Sequence, residues 1–408
     1  MQRDGMTRRG LLWSGAGMVS VLAAPAIVRA QAPVELTMLD YSTGPAGATL
    51  SRLASDFMAA NPTIRITRQT VPQNQYQNTL LQRAAAGQPA DILDIDGPMT
   101  PGLTDAGVLA PIDAYVDLDV DATFYPAPLS TARWKGKLYG LPVGNNAEVL
   151  VYNKKMLADK GLSVPTTQDE LRETGRKLTD KGVYGFAASA YGGEECTWNW
   201  LPYFWSRGGN LDDLHSQAAI DALEFWGGLV RDGIAPAAQL SWQTAEIEPR
   251  FVNGQLAMAM LGSWQLRSLD ANAKQAGLDY GIAVLPAAMK PGEKMIAPFG
   301  GEVMAVGSLD PAKAAAAWQF IKWVQTPNVI VPFVEQSAYV PASKPATVVF
   351  ESNPANGLFK AVSEMLPTAR SRTELLGASY YEVSGKITTA IQQVMTGAAD
   401  AKTALGAI

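Results

Sequence analysis

The sequence predicts an α/β fold built on a doubly wound, mainly parallel sheet and spread over about two domains. Three observations lead there. Residues 34–95 alternate strand and helix patterns in a β-α-β-α-β rhythm, the order that places helices on both faces of a parallel sheet. The chain of 408 residues is too long for one ordinary core, and a hydrophobic content of 47% is ample for two. Tyr41-Ser42 and the run from Asp94 to Asp96 fall beyond the carboxyl ends of strands, where such sheets bind ligands.

The elements follow in order. Thr7-Arg8-Arg9-Gly10-Leu11-Leu12 is a paired-arginine export signature, followed by an apolar run over 11–27 and by Val28-Arg29-Ala30. A basic head, an apolar middle and a small-residue exit describe a twin-arginine signal peptide over 1–30, so the protein is expected in the periplasm. The apolar run is too short and too rich in Gly, Ala and Ser to span a bilayer. No cysteine follows it to carry a lipid, so a product that is not membrane-anchored is expected. Val34 to Leu39 alternates as a strand, and Leu50, Leu53, Phe57 and Met58 repeat at helical spacing. Residues 64–71 form a second strand, 75–86 a helix closed by Gly87, and 90–95 a third strand. A strand at 148–153 precedes Thr167-Gln168-Asp169-Glu170, which reads as a capping box opening a helix. An aromatic-rich segment and a helix near 218–230 come next. An apolar strand then ends at Gly262-Ser263-Trp264, and another strand runs over 280–286. Asp310-Pro311 supplies a helix cap and first-turn pair, and the helix it opens puts Trp318, Ile321 and Val324 on one face.

Charge and composition exclude several functions. Of 33 basic and 38 acidic residues, four and one lie in 1–30, leaving a net charge of −8 on the remainder. That argues against nucleic acid or an anionic membrane as partner. His215 is the one histidine and Cys196 the one cysteine, so zinc-type spacing and an internal disulfide are both absent. His215 lies in a polar stretch and reads as solvated, while Cys196 reads as a small buried hydrophobe. No phosphate-cradling glycine loop occurs outside the leader, and no cofactor is expected. Asp94 with Asp96, and Glu194 with Glu195, are carboxylate pairs of the kind a glycosidase uses, but any acidic chain holds such pairs.

The aromatics point elsewhere. Trp198, Trp200 and Trp205 gather with Tyr191 and Tyr203, and Trp264 stands in a Gly-Ser-Trp loop. Flat rings suit the C–H faces of sugars, while acidic and amide side chains bond the hydroxyls. Trp318 and Trp323 read as core. For Trp200 and Trp205 core and pocket weigh equally, whereas Trp264 leans to the pocket.

The chain resembles the family 1 extracellular solute-binding proteins, the carbohydrate-type binding subunits of bacterial ABC importers. The segments that carry the resemblance begin with Ala84-Ala85-Ala86-Gly87-Gln88-Pro89-Ala90-Asp91-Ile92 and Trp134-Lys135-Gly136-Lys137-Leu138-Tyr139-Gly140-Leu141-Pro142. Val151-Tyr152-Asn153-Lys154 and Phe251-Val252-Asn253-Gly254-Gln255-Leu256-Ala257-Met258 follow, then Gly300-Gly301-Glu302 and Tyr339-Val340-Pro341-Ala342. It implies a two-lobed periplasmic-binding-protein fold, the Venus flytrap, with three crossing segments near 144–149, 281–286 and 335–341. Lobe one is then 33–145 plus 285–336, and lobe two 146–284 plus 337–408. The resemblance implies no catalysis; a monomer is expected, with a small carbohydrate and an inner-membrane ABC permease as partners. The ligand positions it implies on lobe one are Tyr41, Ser42, Gln73, Tyr76 and Asp96. Asn145 and Asn146 fall at the first crossing, Trp198, Trp200 and Trp264 on lobe two, and Gly301, Glu302 and Tyr339 near the other crossings. Arg370 and Arg372 stand where family members often place an arginine-proline stretch, although Leu375-Leu376 replaces the proline. Two alternatives stay open: a phosphorylated polyol such as glycerol 3-phosphate, paired by Arg370 or Arg372, and a secreted glycosidase.

Overall fold

Two separate sheets organise the chain in the computed structural model, which describes residues 32–408 apart from Phe299, Ser308, Leu309 and the side chains of Gln73 and Asn74. The leader at 1–30 lies outside the described residues. In chain order the strands are β1 (Val34–Asp40), β2 (Ile64–Thr70) and β3 (Ile92–Asp96), a small hairpin of β4 (Arg133–Trp134) and β5 (Lys137–Leu138), then β6 (Gly140–Pro142) and β7 (Gly144–Asn145). They continue with β8 (Glu148–Asn153), β9 (Met258–Gly262), β10 (Tyr280–Ala283), β11 (Glu302–Val306) and β12 (Val340–Pro341).

The first sheet runs β2-β1-β3-β11-β6. Pairing of β1 with β2 and β3 is parallel, as the alternating rhythm predicts, and the helices Gly44–Ala60 and Gln73–Ala85 make the crossovers. The helix Gly44–Ala60 turns Leu50, Leu53, Ala54 and Phe57 inward, which is the helical spacing seen in the sequence. β11 is antiparallel to both β3 and β6. The second sheet, β10-β8-β9, is antiparallel throughout. The mainly parallel expectation therefore holds for β1, β2 and β3, and for the irregular segment around Tyr184 and Ala187, which runs parallel to β9. Entry direction explains the rest. β8 and β11 both begin where the chain crosses between sheets, so they run away from that level while their neighbours run towards it.

Local signals place the helices as the sequence predicts. The Thr167 hydroxyl accepts from the Glu170 amide at 3.2 Å and the Glu170 carboxylate accepts from the Thr167 amide at 3.2 Å, completing the capping box of helix Gln168–Leu178. The Asp310 carboxylate accepts from Ala312 and Lys313 at the head of helix Pro311–Val324, whose Trp318, Ile321 and Val324 are buried. Cys196 is buried and burial pushes its thiol up, which keeps it protonated; His215 is exposed. Among the described residues no helix is long and apolar enough to cross a membrane.

Three segments meet between the sheets. β7 pairs with β12, and Asn146 exchanges backbone hydrogen bonds with Gly300 at 3.0 and 3.4 Å. This crossing zone positions the site.

Candidate functional site

Register alone puts four carboxylates on one face of the first sheet. Met38 lies beside Ile92 in the parallel pair, so Asp40 lies in the row of Asp94, while Glu302 faces Asp96 across the antiparallel pair. Side chains two apart on a strand share a face. Asp40 is neutralised by Arg68, whose Nε and Nη2 donate to its two oxygens at 2.7 Å each. Asp40 and Arg68 also hold Ser42, through its amide at 2.8 Å and its carbonyl at 2.7 Å.

Glu302 is the centre of the wall built on the first sheet. Tyr41 and Tyr339 both donate their hydroxyls to its Oε1, at 3.0 and 2.7 Å, and its buried Oε2 has no partner among the described residues. Burial pushes its pKa up to about 7, with the Asp96 charge adding to the rise and the two tyrosine donors opposing it. Asp94, fully buried with neither oxygen bonded, is pushed well above the ordinary carboxylate range by burial, and further by Glu302. Tyr76 meets the Tyr41 ring edge-on at 5.1 Å and donates its hydroxyl to the Leu39 carbonyl at 2.7 Å. It is buried and its one polar group is spent on that carbonyl, so it props Tyr41 from behind. Gln73 opens the same helix, and its side chain lies outside the described residues.

The facing wall comes from helix Glu194–Trp205 and from the turn after β9. Trp198 and Trp264 lie 5.4 Å apart with their planes tilted by 36°, and both are half-buried. Glycines make room for them. A Cβ on Gly262 would come within 2.3 Å of the Trp264 ring, and one on Gly300 within 2.6 Å of Trp198 and 2.0 Å of the Asn146 Oδ1. Trp200, two residues on from Trp198, is fully buried and stacked on Phe204 at 4.6 Å. It belongs to the core of its lobe, which corrects its placement in the site; Trp205, 1% exposed, is core as well.

The crossing residues divide in the same way. The Asn145 amide donates to the Pro341 carbonyl at 3.0 Å and so ties β7 to β12. Asn146, 7% exposed, keeps its Oδ1 unbonded beside Gly300 and the Trp198 ring, where Trp198 Nε1 is also without a partner among the described residues. Gly301 has φ of +142°, and a Cβ there would meet the Gly144 carbonyl at 2.0 Å, while its own carbonyl accepts from Gly97. Its contribution is close backbone packing of the crossings.

Arg372 joins the two walls. Its Nη1 donates to Glu194 Oε1 at 2.5 Å and its Nη2 to Asp96 Oδ1 at 3.4 Å, while the guanidinium lies 4.8 Å from the Trp198 ring centre. Glu194 also accepts from Tyr380 and Ser384, each at 2.5 Å, and Tyr381 donates to Asp96 at 3.3 Å. Burial raises Asp96 more than Arg372 lowers it. Arg370 lies apart: it bonds Asn210 at 3.0 Å, faces Glu374 at 3.6 Å and covers the Trp205 ring. It lines a separate hollow of about 670 Å³ with Trp134 and Glu374, which removes it from the cluster built around Glu302.

Sequence reasoning missed Gly300, Tyr380, Tyr381 and Ser384. Gly300 belongs to a motif the sequence displays, whereas the other three come from a helix, Tyr380–Thr396, with no pattern that marks a site. Asp94 and Glu194 were visible as members of carboxylate pairs, and the structure gives them separate roles.

A family profile described as bacterial extracellular solute-binding protein matches residues 52–357. The maltotriose-binding protein of Pyrococcus abyssi is 28% identical over 304 residues, 71% of this chain, and the match spans 62% of that relative's own length. The galactooligosaccharide-binding protein of Bacillus subtilis is 25% identical over 78% of this chain and 75% of its own. Among solved structures, the cyclic alpha-maltosyl-1,6-maltose binding protein of Arthrobacter globiformis superposes with a TM-score of 0.79 at 24% identity, covering 92% of this chain and 97% of that one.

Proposed function

The chain belongs to the bacterial extracellular solute-binding proteins, and on that premise we propose that it captures a sugar or small oligosaccharide between its two lobes and delivers it to an ABC importer. The observation that carries this reading is the tilted Trp198–Trp264 pair opposite a polar wall, with unbonded polar atoms on Asn146, Trp198 and Glu302. A polyhydroxylated ring presents C–H faces to such rings and hydroxyls to such atoms.

The sequence-derived lobes, 33–145 plus 285–336 and 146–284 plus 337–408, are kept as the proposed division. Ligand in contact with both walls favours the closed form through its greater affinity for that form, and exclusion of water strengthens the polar contacts. The closed shape is what the permease would read. The twin-arginine leader and the family together support a periplasmic monomer.

A phosphorylated polyol fits less well. Arg372 is already engaged by Asp96 and Glu194, and Arg370 faces Glu374 away from the cluster. For a glycosidase, each of the two carboxylate pairs, Asp94 with Asp96 and Glu194 with Glu195, has one member held on the Arg372 guanidinium rather than free across an open space. The deciding experiment is a panel of neutral sugars and phosphorylated polyols read by thermal shift, since bound ligand raises apparent stability. A shift with neutral saccharides is expected. A shift with glycerol 3-phosphate alone would reject the sugar reading, and turnover of a glycan would reject binding without catalysis.

A further inference from the structure

The charge balance of the cleft narrows the class of saccharide, given the sugar-capture reading on which it rests. Four carboxylates share the cleft-side face of the first sheet, and two guanidinium groups serve them. Arg68 spends its fork on Asp40 and on the Ser42 carbonyl, and Arg372 bridges Asp96 to Glu194. Asp94 and Glu302 are left. Among the described residues no Lys, Arg or His forms an ion pair with either, and neither Asp94 oxygen nor Glu302 Oε2 accepts a hydrogen bond. Lobe two repeats the excess. Glu148 is 2% exposed with both oxygens unbonded, it pairs across the strands with Gly262 beneath the Trp264 ring, and the charge that acts on it is that of another acid, Glu195.

We infer that the captured saccharide carries a free, positively charged amine, held by the Asp94–Glu302 carboxylates on the wall opposite the tryptophan pair. A sugar hydroxyl can bond a carboxylate but supplies no counter-charge, and two buried carboxylates at diagonal positions of one strand pair resist being ionised together. An ammonium group supplies donors and counter-charge at once. The aromatic wall already accepts a cation, since the Arg372 guanidinium lies 4.8 Å from the Trp198 ring. A phosphate or carboxylate on the ligand would find no cation at this pair and would face Asp94 and Glu302 instead, so it is selected against.

Proton release follows from the same geometry. Glu302 stands near pH 7, with Tyr41 and Tyr339 donating to it and Asp96 raising it, and its own charge raises Asp94 in turn. Behind Asp94 stand Asp40, Arg68 and Tyr76. An ammonium arriving here expels the proton that a neutral sugar would leave in place.

The test is calorimetric titration of the purified protein with matched pairs: glucosamine against glucose, galactosamine against galactose, and the chitosan disaccharide against cellobiose, with maltose as a neutral control. At least one amine is expected to bind ten or more times tighter than its neutral counterpart. Its heat should vary with the ionisation enthalpy of the buffer, and Asp94→Asn or Glu302→Gln should remove most of its advantage. Should a variant not fold, the buffer dependence of the unmodified protein decides. Neutral sugars binding as well as their amines, without proton release, would overturn the amine and leave sugar capture standing. No binding by any saccharide, maltose included, would overturn both.

Discussion

Trp198, Trp200, Trp205 and Trp264 show how one side-chain type divides between core and cleft over a few residues. Trp200 and Trp205 point into the lobe, while Trp198 and Trp264 meet at 5.4 Å with part of each ring exposed. Replacing Trp264 with alanine is expected to weaken saccharide binding on the order of tenfold or more while leaving the fold intact, as loss of a central aromatic anchor does. Fluorescence titration measures it, and an unchanged affinity would place the ring in the core. Glu302 makes a second residue-scale prediction. Its pKa lies near 7 in the folded chain against an ordinary 4.5, so between those values the folded state holds a proton that the unfolded state has released. Stability of the ligand-free protein is therefore highest at the acid end of that window from this group, and falls as pH rises towards neutrality. Urea unfolding from pH 5 to 7.5 should show that fall, and Glu302→Gln should flatten it; an equal slope in both would assign the effect to other groups. The aromatic positions were legible in the sequence, but their orientation was not, because a helix turns every residue by 100° and only its packing says which direction is the cleft.

Elements carry the precision of the site. β3 and β11 present Asp94, Asp96 and Glu302 through register, and a slip of either strand by one residue would send its own carboxylates to the opposite face. Gly300 shows how tightly the crossing zone is packed against the aromatic wall. Gly300→Ala is expected to weaken binding strongly, since its Cβ would fall 2.0 Å from Asn146 Oδ1 and 2.6 Å from Trp198. A variant with normal affinity would show that these side chains move aside freely. The capping box of helix Gln168–Leu178 offers the contrasting case. Thr167→Ala should cost about 1 kcal/mol of stability, the usual loss at a helix cap, while affinity stays as it was; calorimetric melting and titration separate the two. Elements with local signals, such as this box and the Asp310-Pro311 start, were read correctly from the sequence. The antiparallel entry of β8 and β11 was not, because direction within a sheet depends on where the chain crosses rather than on strand pattern.

At the scale of the whole molecule, Arg372 ties the end of β3 to the head of helix Glu194–Trp205 and lies between the two walls. The guanidinium is 1% exposed, and its removal leaves two largely buried carboxylates without a counter-charge. Arg372→Ala is expected to cost roughly 3 kcal/mol of stability and to enlarge the ligand-free particle in small-angle scattering, because the walls then repel. A loss of stability without a change in size would make Arg372 a support within one lobe only.

The sequence by itself determined the class of fold, the order of its elements, the family and the residue types a polar ligand needs. Each of these is written in local periods, turn residues and short motifs, and local physics enforces them. Tertiary structure alone decided which tryptophans form the wall, that Tyr76 is a prop, that Arg370 stands outside the cluster and that Arg372 is spent on two acids. Those outcomes depend on partners far apart in the chain, 276 positions in the case of Arg372 and Asp96. Burial and charge pairing at such separations are properties of the assembled lobes, and no window of sequence contains them.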